Sequence, residues 1–446
     1  MARAKHVSPA RLAAFEVLRK VEDGEFSLVL LATTEPRLEP TDRALCHELV
    51  MGVLRWQLHL DRIIQHYANR NLDTVDPAVR ISVRLGLYQL RFLSRIPPSA
   101  AVNESVKLVG HARLRSAQSF VNAVLRRATR EPEYNPAAAI VDPLERMAIE
   151  TSHPAWLLSR WCKAFGNETA RAIAEADNVT PGISFRVVNS RSSESNVLLK
   201  LRNAGATLDA SVITPGAWRV TNAGAVVRML AAGGEIYLQD EGSQLVPRVV
   251  DARANERILD LCAAPGGKTT QIADLVGDQA LIVAGDLSAR RLRMVGKTSS
   301  LHHLHSIKLL VVDAEHPLPF LEGAFDRVLV DAPCTGTGTL AHNPEIRWRI
   351  GAEDIQRLSA KQRRILRNAA TSVRSGGRLV YSTCSLELEE NEQVVRDFLE
   401  SDPAFRLLRI ELNPSIQTEA GLIRVWPQLH GTGGFFVAAF ERDSRH

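Results

Sequence analysis

Residues 258–273, ILDLCAAPGGKTTQIA, constrain the fold of this chain more than any other stretch. An apolar run (Ile258, Leu259, Leu261) passes through Cys262 into the small-residue turn Ala263-Ala264-Pro265-Gly266-Gly267. Lys268-Thr269-Thr270 and an amphipathic continuation follow at once. Strand, glycine turn and helix start are how a doubly wound α/β domain opens its ligand site. Glycine lets backbone approach a ligand closely, and a helix N-terminus offers unpaired N–H groups to an anionic part of it. A second apolar run, residues 281–285, ends in Asp286 about twenty residues on, where a carboxylate can accept from ribose hydroxyls. The turn is not G-x-G-x-x-G, so no pyrophosphate is indicated. A nucleoside carrying an amino-acid tail fits better, which describes S-adenosylmethionine. Its contacts on this reading are Cys262, Ala263, Ala264, Pro265, Gly266, Gly267, Lys268 and Asp286.

With 446 residues the chain has room for two or three domains. No apolar run approaches the roughly 20 residues that span a bilayer, so no membrane association is expected. The N-terminus reads as an amphipathic helix rather than a signal peptide. Five widely spaced cysteines, Cys46, Cys162, Cys262, Cys334 and Cys384, argue against a disulfide framework and for a reducing, cytoplasmic setting. Charge is unevenly spread. Residues 1–130 hold 20 Lys and Arg against 12 Asp and Glu, and the remainder holds 35 against 38. A basic module joined to a near-neutral one points to a polyanionic partner, usually nucleic acid.

Residues 1–132 read as helices throughout and form an all-α domain. Its candidate phosphate contacts are Arg11, Arg91, Arg95, Arg113, Arg115, Arg126 and Arg127. Residues 133–151, polar and Pro-containing, read as a linker. Residues 152–235 alternate short helices and strands, a small α+β domain. From 236 to 446 strands and helices alternate as in an α/β, Rossmann-like domain. The histidines at 302, 303 and 305 lack Cys or carboxylate partners at ligand spacing, so no metal is expected.

Three more strand ends carry chemistry. Residues 309–312 end at Asp313, which can accept from an adenine amino group. Residues 327–330 end in Asp331-Ala332-Pro333-Cys334, and residues 376–381 in Ser382-Thr383-Cys384-Ser385. In an open parallel sheet the carboxyl ends of the strands line one edge, where ligands bind. Asp286, Asp313, Asp331, Cys334 and Cys384 should therefore converge, Asp331 serving cofactor and base alike.

These motifs resemble the RNA 5-methylcytosine methyltransferases of the Nol/Nop/Sun family, within it the bacterial RsmB/Sun (Fmu) type. CAAPGGKT at 262–269, DAPCTGTG at 331–338, STCS at 382–385, LQDEGSQL at 238–245 and GGFFVAAFER at 433–442 carry the likeness. Gly433 stands where the family usually has Asp. Residues 1–132 are similar to a NusB-like RNA-binding domain. The resemblance implies an enzyme acting on 16S rRNA, and a monomer is expected. Two rivals stand beside it: a tRNA cytosine-C5 methyltransferase of the same family, and a non-catalytic NusB-like RNA-binding or antitermination factor. An amino-group methyltransferase would show Asn/Asp-Pro-Pro-Tyr/Phe in place of DAPC.

The chemistry suits the residues. Carbon 5 of cytosine is a poor nucleophile until a thiolate adds to C6 and makes C5 enamine-like, which is covalent catalysis. Asp331 is the natural group to assist at N3, and a base must later remove the C5 proton. The family pattern assigns attack to Cys384 and release to Cys334. Lys268 contacts the base or keeps a cysteine ionised, since a nearby cation lowers a thiol's pKa. Reaching C6 requires an unpaired or flipped base.

Overall fold

The computed structural model describes residues 7–444, which fall into two compact units. The first takes the chain up to Val179 together with Leu340–Arg349, and the second takes Thr180–Thr339 and the chain from Ile350 onward.

The first unit is helical. Pro9–Glu22, Pro40–Arg55, Pro77–Phe92 and Pro98–His111 each open on proline. There a missing N–H costs nothing and φ is already helical. Ser27–Thr34, Gln57–Ala68 and Gln118–Arg130 complete the bundle around Leu18, Leu49, Leu85 and Leu125. The expected linker at 133–151 is not one throughout. Pro143–Thr151 is a helix, with the Asp142 side chain accepting from the N–H groups of Leu144 and Glu145. Pro143 reads as a breaker in isolation, but it sits at the first helical position. Ala155–Phe165 and Asn167–Ala176, expected in the small α+β domain, group with the helical unit because Leu157, Trp161 and Ile173 turn apolar faces inward.

Leu340–Arg349 also belongs to this unit. The Ser27 hydroxyl donates to Glu345 Oε1 at 2.9 Å. Trp348 Nε1 donates to the Leu54 carbonyl at 3.0 Å. The buried Arg347 donates to the Ser152 carbonyl at 3.1 Å and to Asn178 Oδ1 at 3.0 Å.

The second unit holds two sheets. Strands β1 (Ile183–Val187), β2 (Thr207–Ala210), β3 (Ala217–Thr221) and β4 (Ile236–Leu238) form an antiparallel sheet of order β2-β3-β1-β4. β4, expected to open the α/β domain at 236, instead pairs with β1, Phe185 opposite Leu238. The polar β2 carries no apolar alternation and was not expected as a strand.

The large sheet comprises β5 (Arg257–Leu261), β6 (Leu281–Asp286), β7 (Ile307–Val311), β8 (Phe325–Asp331), β9 (Val373–Thr383), β10 (Phe405–Leu407), β11 (Ile423–Val425) and β12 (Phe435–Arg442). Its order is β10-β12-β9-β8-β5-β6-β7, with β11 on β12. β5 to β9 run parallel, and β12 is antiparallel to β9. Strand side chains alternate between two apolar layers. Leu259, Val328, Val330, Leu379 and Tyr381 enter one, and Ile258, Leu329 and Val380 enter the other. Burial on both faces is why these strands read as continuous apolar runs. Strand order reverses beside β5, where an open α/β sheet forms its ligand crevice.

Candidate active site

The chain leaves β5 through Cys262, whose φ is +62°, into the turn that starts the helix Gly267–Leu275. Gly266 has φ +108°, and a Cβ there would lie 3.0 Å from the Val295 backbone, so helix packing as well as conformation demands glycine. The Ala263 N–H donates to the Gly285 carbonyl at 2.9 Å. The Ala264 N–H donates to Asp286 Oδ2 at 3.3 Å, and the Ser288 N–H to Asp286 Oδ1 at 2.9 Å. Each Asp286 oxygen thus accepts one backbone N–H and keeps a lone pair. Arg291, which sequence reasoning missed, pairs with Asp286 at 3.6 Å and donates to the Ala264 carbonyl at 2.6 Å. A basic residue one helical turn past a strand-end Asp was the available signal.

A cavity of about 110 Å³ opens beside this turn. Of the expected cofactor residues it takes in Cys262, Asp286 and Asp313. It does not reach Ala263, Ala264, Pro265, Gly266, Gly267, Lys268 or Asp331. Val312, Pro333 and Ile365 supply apolar walls, and Lys361 lines it too, its Nζ 2.7 Å from Glu315 Oε1. Pro333 belongs to the DAPC motif, whereas the later helix residues Lys361 and Ile365 carried no sequence signal. A Cβ at Gly285 would lie 2.9 Å from Val312 Cγ1, so glycine keeps the floor flat. An apolar slot with two carboxylates at its rim suits a nucleoside, its base between aliphatic walls with the amino group toward Asp313 and its hydroxyls toward Asp286. Burial pushes the Cys262 thiol up to about 12, the carboxylates of Asp331 and Asp286 adding to it. That thiol is a wall, not a nucleophile.

Next to the cavity the two expected cysteines meet. Cys334 Sγ lies 3.3 Å from Cys384 Sγ, joining the ends of β8 and β9. The hydrogen bond to Cys384, then burial, then the Glu390 charge hold the Cys334 thiol well above its ordinary range. Lys268 Nζ donates to Asp331 Oδ2 at 2.7 Å, and the Ser382 hydroxyl to Asp331 Oδ1 at 2.8 Å. Burial works against the Lys268 ammonium, but the Asp331 carboxylate outweighs it and raises its pKa. Lys268 also sits 5.4 Å over the Phe435 ring. Gly433 is explained locally. Asp240 Oδ2 already accepts from the Gly433 N–H at 2.8 Å and the Thr432 hydroxyl at 2.7 Å. A Cβ at 433 would come within 3.2 Å of that carboxylate.

Other expectations fare differently. His302 is buried edge-on to Tyr237, ring centroids 5.6 Å apart. Among the described residues no group of three His, Cys, Asp or Glu could hold a metal, and no helix is long and apolar enough to cross a membrane. Of the expected phosphate contacts, Arg11 is committed to Gln89 at 2.7 Å and Arg91 to the Tyr67 hydroxyl at 3.0 Å. Arg95, Arg113, Arg115 and Arg126 are exposed.

Comparison with known proteins finds three family matches, the middle one taking in residues 155–176 with the small domain. The family of 16S rRNA methyltransferase RsmB/F matches residues 247–441, the NusB family 8–130, and the RsmF/B-like ferredoxin-like domain 153–227. The chain is 33% identical over 442 residues to the "Probable ribosomal RNA small subunit methyltransferase B" of Bacillus subtilis, covering 96% of this chain and 98% of that one. It is 34% identical over 437 residues to ribosomal RNA small subunit methyltransferase B of Pseudomonas putida, covering 96% and 97%. The crystal structure of PH0851 superposes with a TM-score of 0.86 at 27% identity, over 98% of this chain and 99% of that one. With a paired-thiol site at the strand ends and full-length relatives of one kind, the chain belongs to the 16S rRNA methyltransferase RsmB/F family.

Proposed function

We propose that this chain is an S-adenosylmethionine-dependent RNA cytosine-C5 methyltransferase acting on 16S rRNA. The observation that carries the reading is the contact between Cys334 and Cys384 beside the Lys268–Asp331 pair. The cofactor would be held by Asp286 at its ribose and Asp313 at its adenine, with Cys262 and Val312 as walls. Ala263, Ala264, Pro265, Gly266 and Gly267 would flank its methionine end. When bound it supplies an electrophilic methyl group. The chain's own residues do the rest. The Cys384 thiolate adds to C6 of an extruded cytosine, and the electron pair displaced makes C5 nucleophilic. The Asp331 carboxyl, by hydrogen bonding or delivering a proton at N3, favours that addition. Lys268 sets positive charge against the attacking sulfur. Once C5 is methylated its proton passes to a base from solvent, the C–H electron pair restores the C5–C6 double bond, and the C6–Sγ pair returns to Cys384. Cys334 assists this release. Five free cysteines suit the reducing cytoplasm, where such RNA is made.

The test is complementation of a deletion strain with the parent chain, Cys384→Ala and Cys334→Ala. The parent should restore 5-methylcytosine in 16S rRNA and not in tRNA. Cys384→Ala should restore none and leave no adduct. Cys334→Ala should attack, transfer the methyl group and stall as a protein–RNA conjugate that survives denaturing electrophoresis. A conjugate in Cys384→Ala instead would reverse the two roles. Restoration in tRNA alone would move the substrate.

A further inference from the structure

Behind the two sulfurs lies a carboxylate with no part in the chemistry above. Glu390 is fully buried in the short turn Leu388–Glu390. Four donors converge on it. Oε1 accepts from the Thr335 N–H at 2.9 Å and from Gln362 Nε2 at 2.9 Å. Oε2 accepts from the Thr335 hydroxyl and from the Ser385 hydroxyl at 2.5 Å. Thr335 follows Cys334 in the chain, and Ser385 follows Cys384. One side chain therefore holds the immediate neighbour of each cysteine. The two gripped hydroxyls also lie 3.2 Å from one another. Gln362, on the helix Ala352–Thr371, extends the hold by donating to the Pro333 carbonyl at 2.9 Å, on the other side of Cys334. The turn is itself pinned, since the Tyr381 hydroxyl of β9 donates to the Glu390 carbonyl at 2.6 Å.

The fold has little use for a carboxylate here. Burial alone drives its pKa up, opposed by the bonds from Ser385 and Thr335. A well-packed apolar side chain of similar size is often as stabilising as a buried charge, or more so. What an apolar side chain cannot do is accept from both loops at once. Each thiol rides on a loop at the end of its own strand, and such an acceptor adds a side-chain tie between the loops to the Gly338 N–H bond to the Cys384 carbonyl.

We infer that Glu390 is a positioning residue, whose carboxylate, by gripping Thr335 and Ser385 together, holds the loops of Cys334 and Cys384 at contact distance. The inference rests on the covalent methyltransferase reading for its consequence in turnover, but not for its geometry. Misplacing a reacting group by about 1 Å costs on the order of 100-fold in rate.

The experiment compares the full-length parent with Glu390→Leu, which removes every acceptor at similar volume, and Glu390→Gln, which keeps one oxygen. Two readouts are taken. The first is kcat, with KM for 16S rRNA and affinity for S-adenosylmethionine. The second is Cys334–Cys384 disulfide formation under diamide, in which the two thiols give up two electrons and two protons and the azo bond becomes a hydrazine. Glu390→Leu should lose about 100-fold in kcat, as expected for loops that no longer align. Its KM and cofactor affinity should stay at the parental level, and disulfide formation should be lost. Glu390→Gln should recover part of both. Parental disulfide formation in Glu390→Leu overturns the inference, whatever happens to kcat. So does a matching loss of cofactor affinity, which would mean general damage. Should Glu390→Leu not fold, Thr335→Val and Ser385→Ala each remove one grip and carry the same readouts. The disulfide measurement needs neither RNA nor cofactor. A parent that methylates no cytosine would therefore sink the functional reading and leave the clamp standing or falling on its own.

Discussion

Asp260 shows how much one residue's setting decides. It lies in β5, fully buried, with Oδ2 accepting from the Thr269 hydroxyl at 2.6 Å and Oδ1 without a hydrogen-bond partner. Burial pushes its carboxyl up to about 7; the Thr269 bond opposes this, and the Asp331 carboxylate adds to it. In an unfolded chain the same group titrates near about 3.9. The folded state thus favours the protonated form. Its contribution to stability is complete below about pH 4, is lost as pH rises toward 7, and is flat beyond. Asp260→Asn keeps an acceptor for Thr269 and cannot ionise. Its melting temperature relative to the parent should climb from pH 5 to pH 8. A difference that stays level across that range would mean Asp260 is ionised at no cost.

At the scale of elements, the site is three loops laced together rather than one motif. The Gly338 N–H donates to the Cys384 carbonyl at 2.9 Å, and the Gly434 N–H to the Gly338 carbonyl at 2.6 Å. The loop after β8 is thereby tied to the end of β9 and the entry to β12. A Cβ on Gly338 would overlap the Gly434 carbonyl and stand 2.9 Å from that of Cys384. Backbone lies on both sides, so relief must come from moving the loops. Gly338→Ala should cut kcat by about 100-fold, the cost of a misaligned reacting group. Cofactor affinity, which depends on the ends of β5 to β7, should hold in calorimetry. Unchanged kcat would show that the loops can part without harm.

For the whole molecule, the positive excess of residues 1–130 is the feature that bears on RNA. Deleting that region would be a poor test. Glu345, Trp348 and Arg349 make their hydrogen bonds to Ser27, Leu54 and Val21, and would lose them. Replacing the exposed Arg95, Arg113, Arg115 and Arg126 with Gln leaves that packing alone. If they meet single-stranded phosphates, the log–log slope of RNA affinity against salt should flatten by about 0.7 for each phosphate that is no longer neutralised. An unchanged slope would assign the helical unit to another partner.

Legibility in the sequence followed sequence distance. That Asp286 and Asp313 would line one cavity and Cys334 and Cys384 would meet could be foreseen because a parallel sheet brings its strand ends to one edge, and apolar runs mark the strands. The helical character of residues 9–130 was equally open, because its signals are local ones. Hidden were the relations made by packing. The pairing of Lys268 with Asp331, the four donors on Glu390 and the orphaned oxygen of Asp260 join residues that no periodicity connects. The same holds for Leu340–Arg349, which leaves the α/β half of the chain to pack in the helical unit. Local pattern states what each residue prefers to bury or cap. Which distant group meets it there is decided only when the elements close on one another.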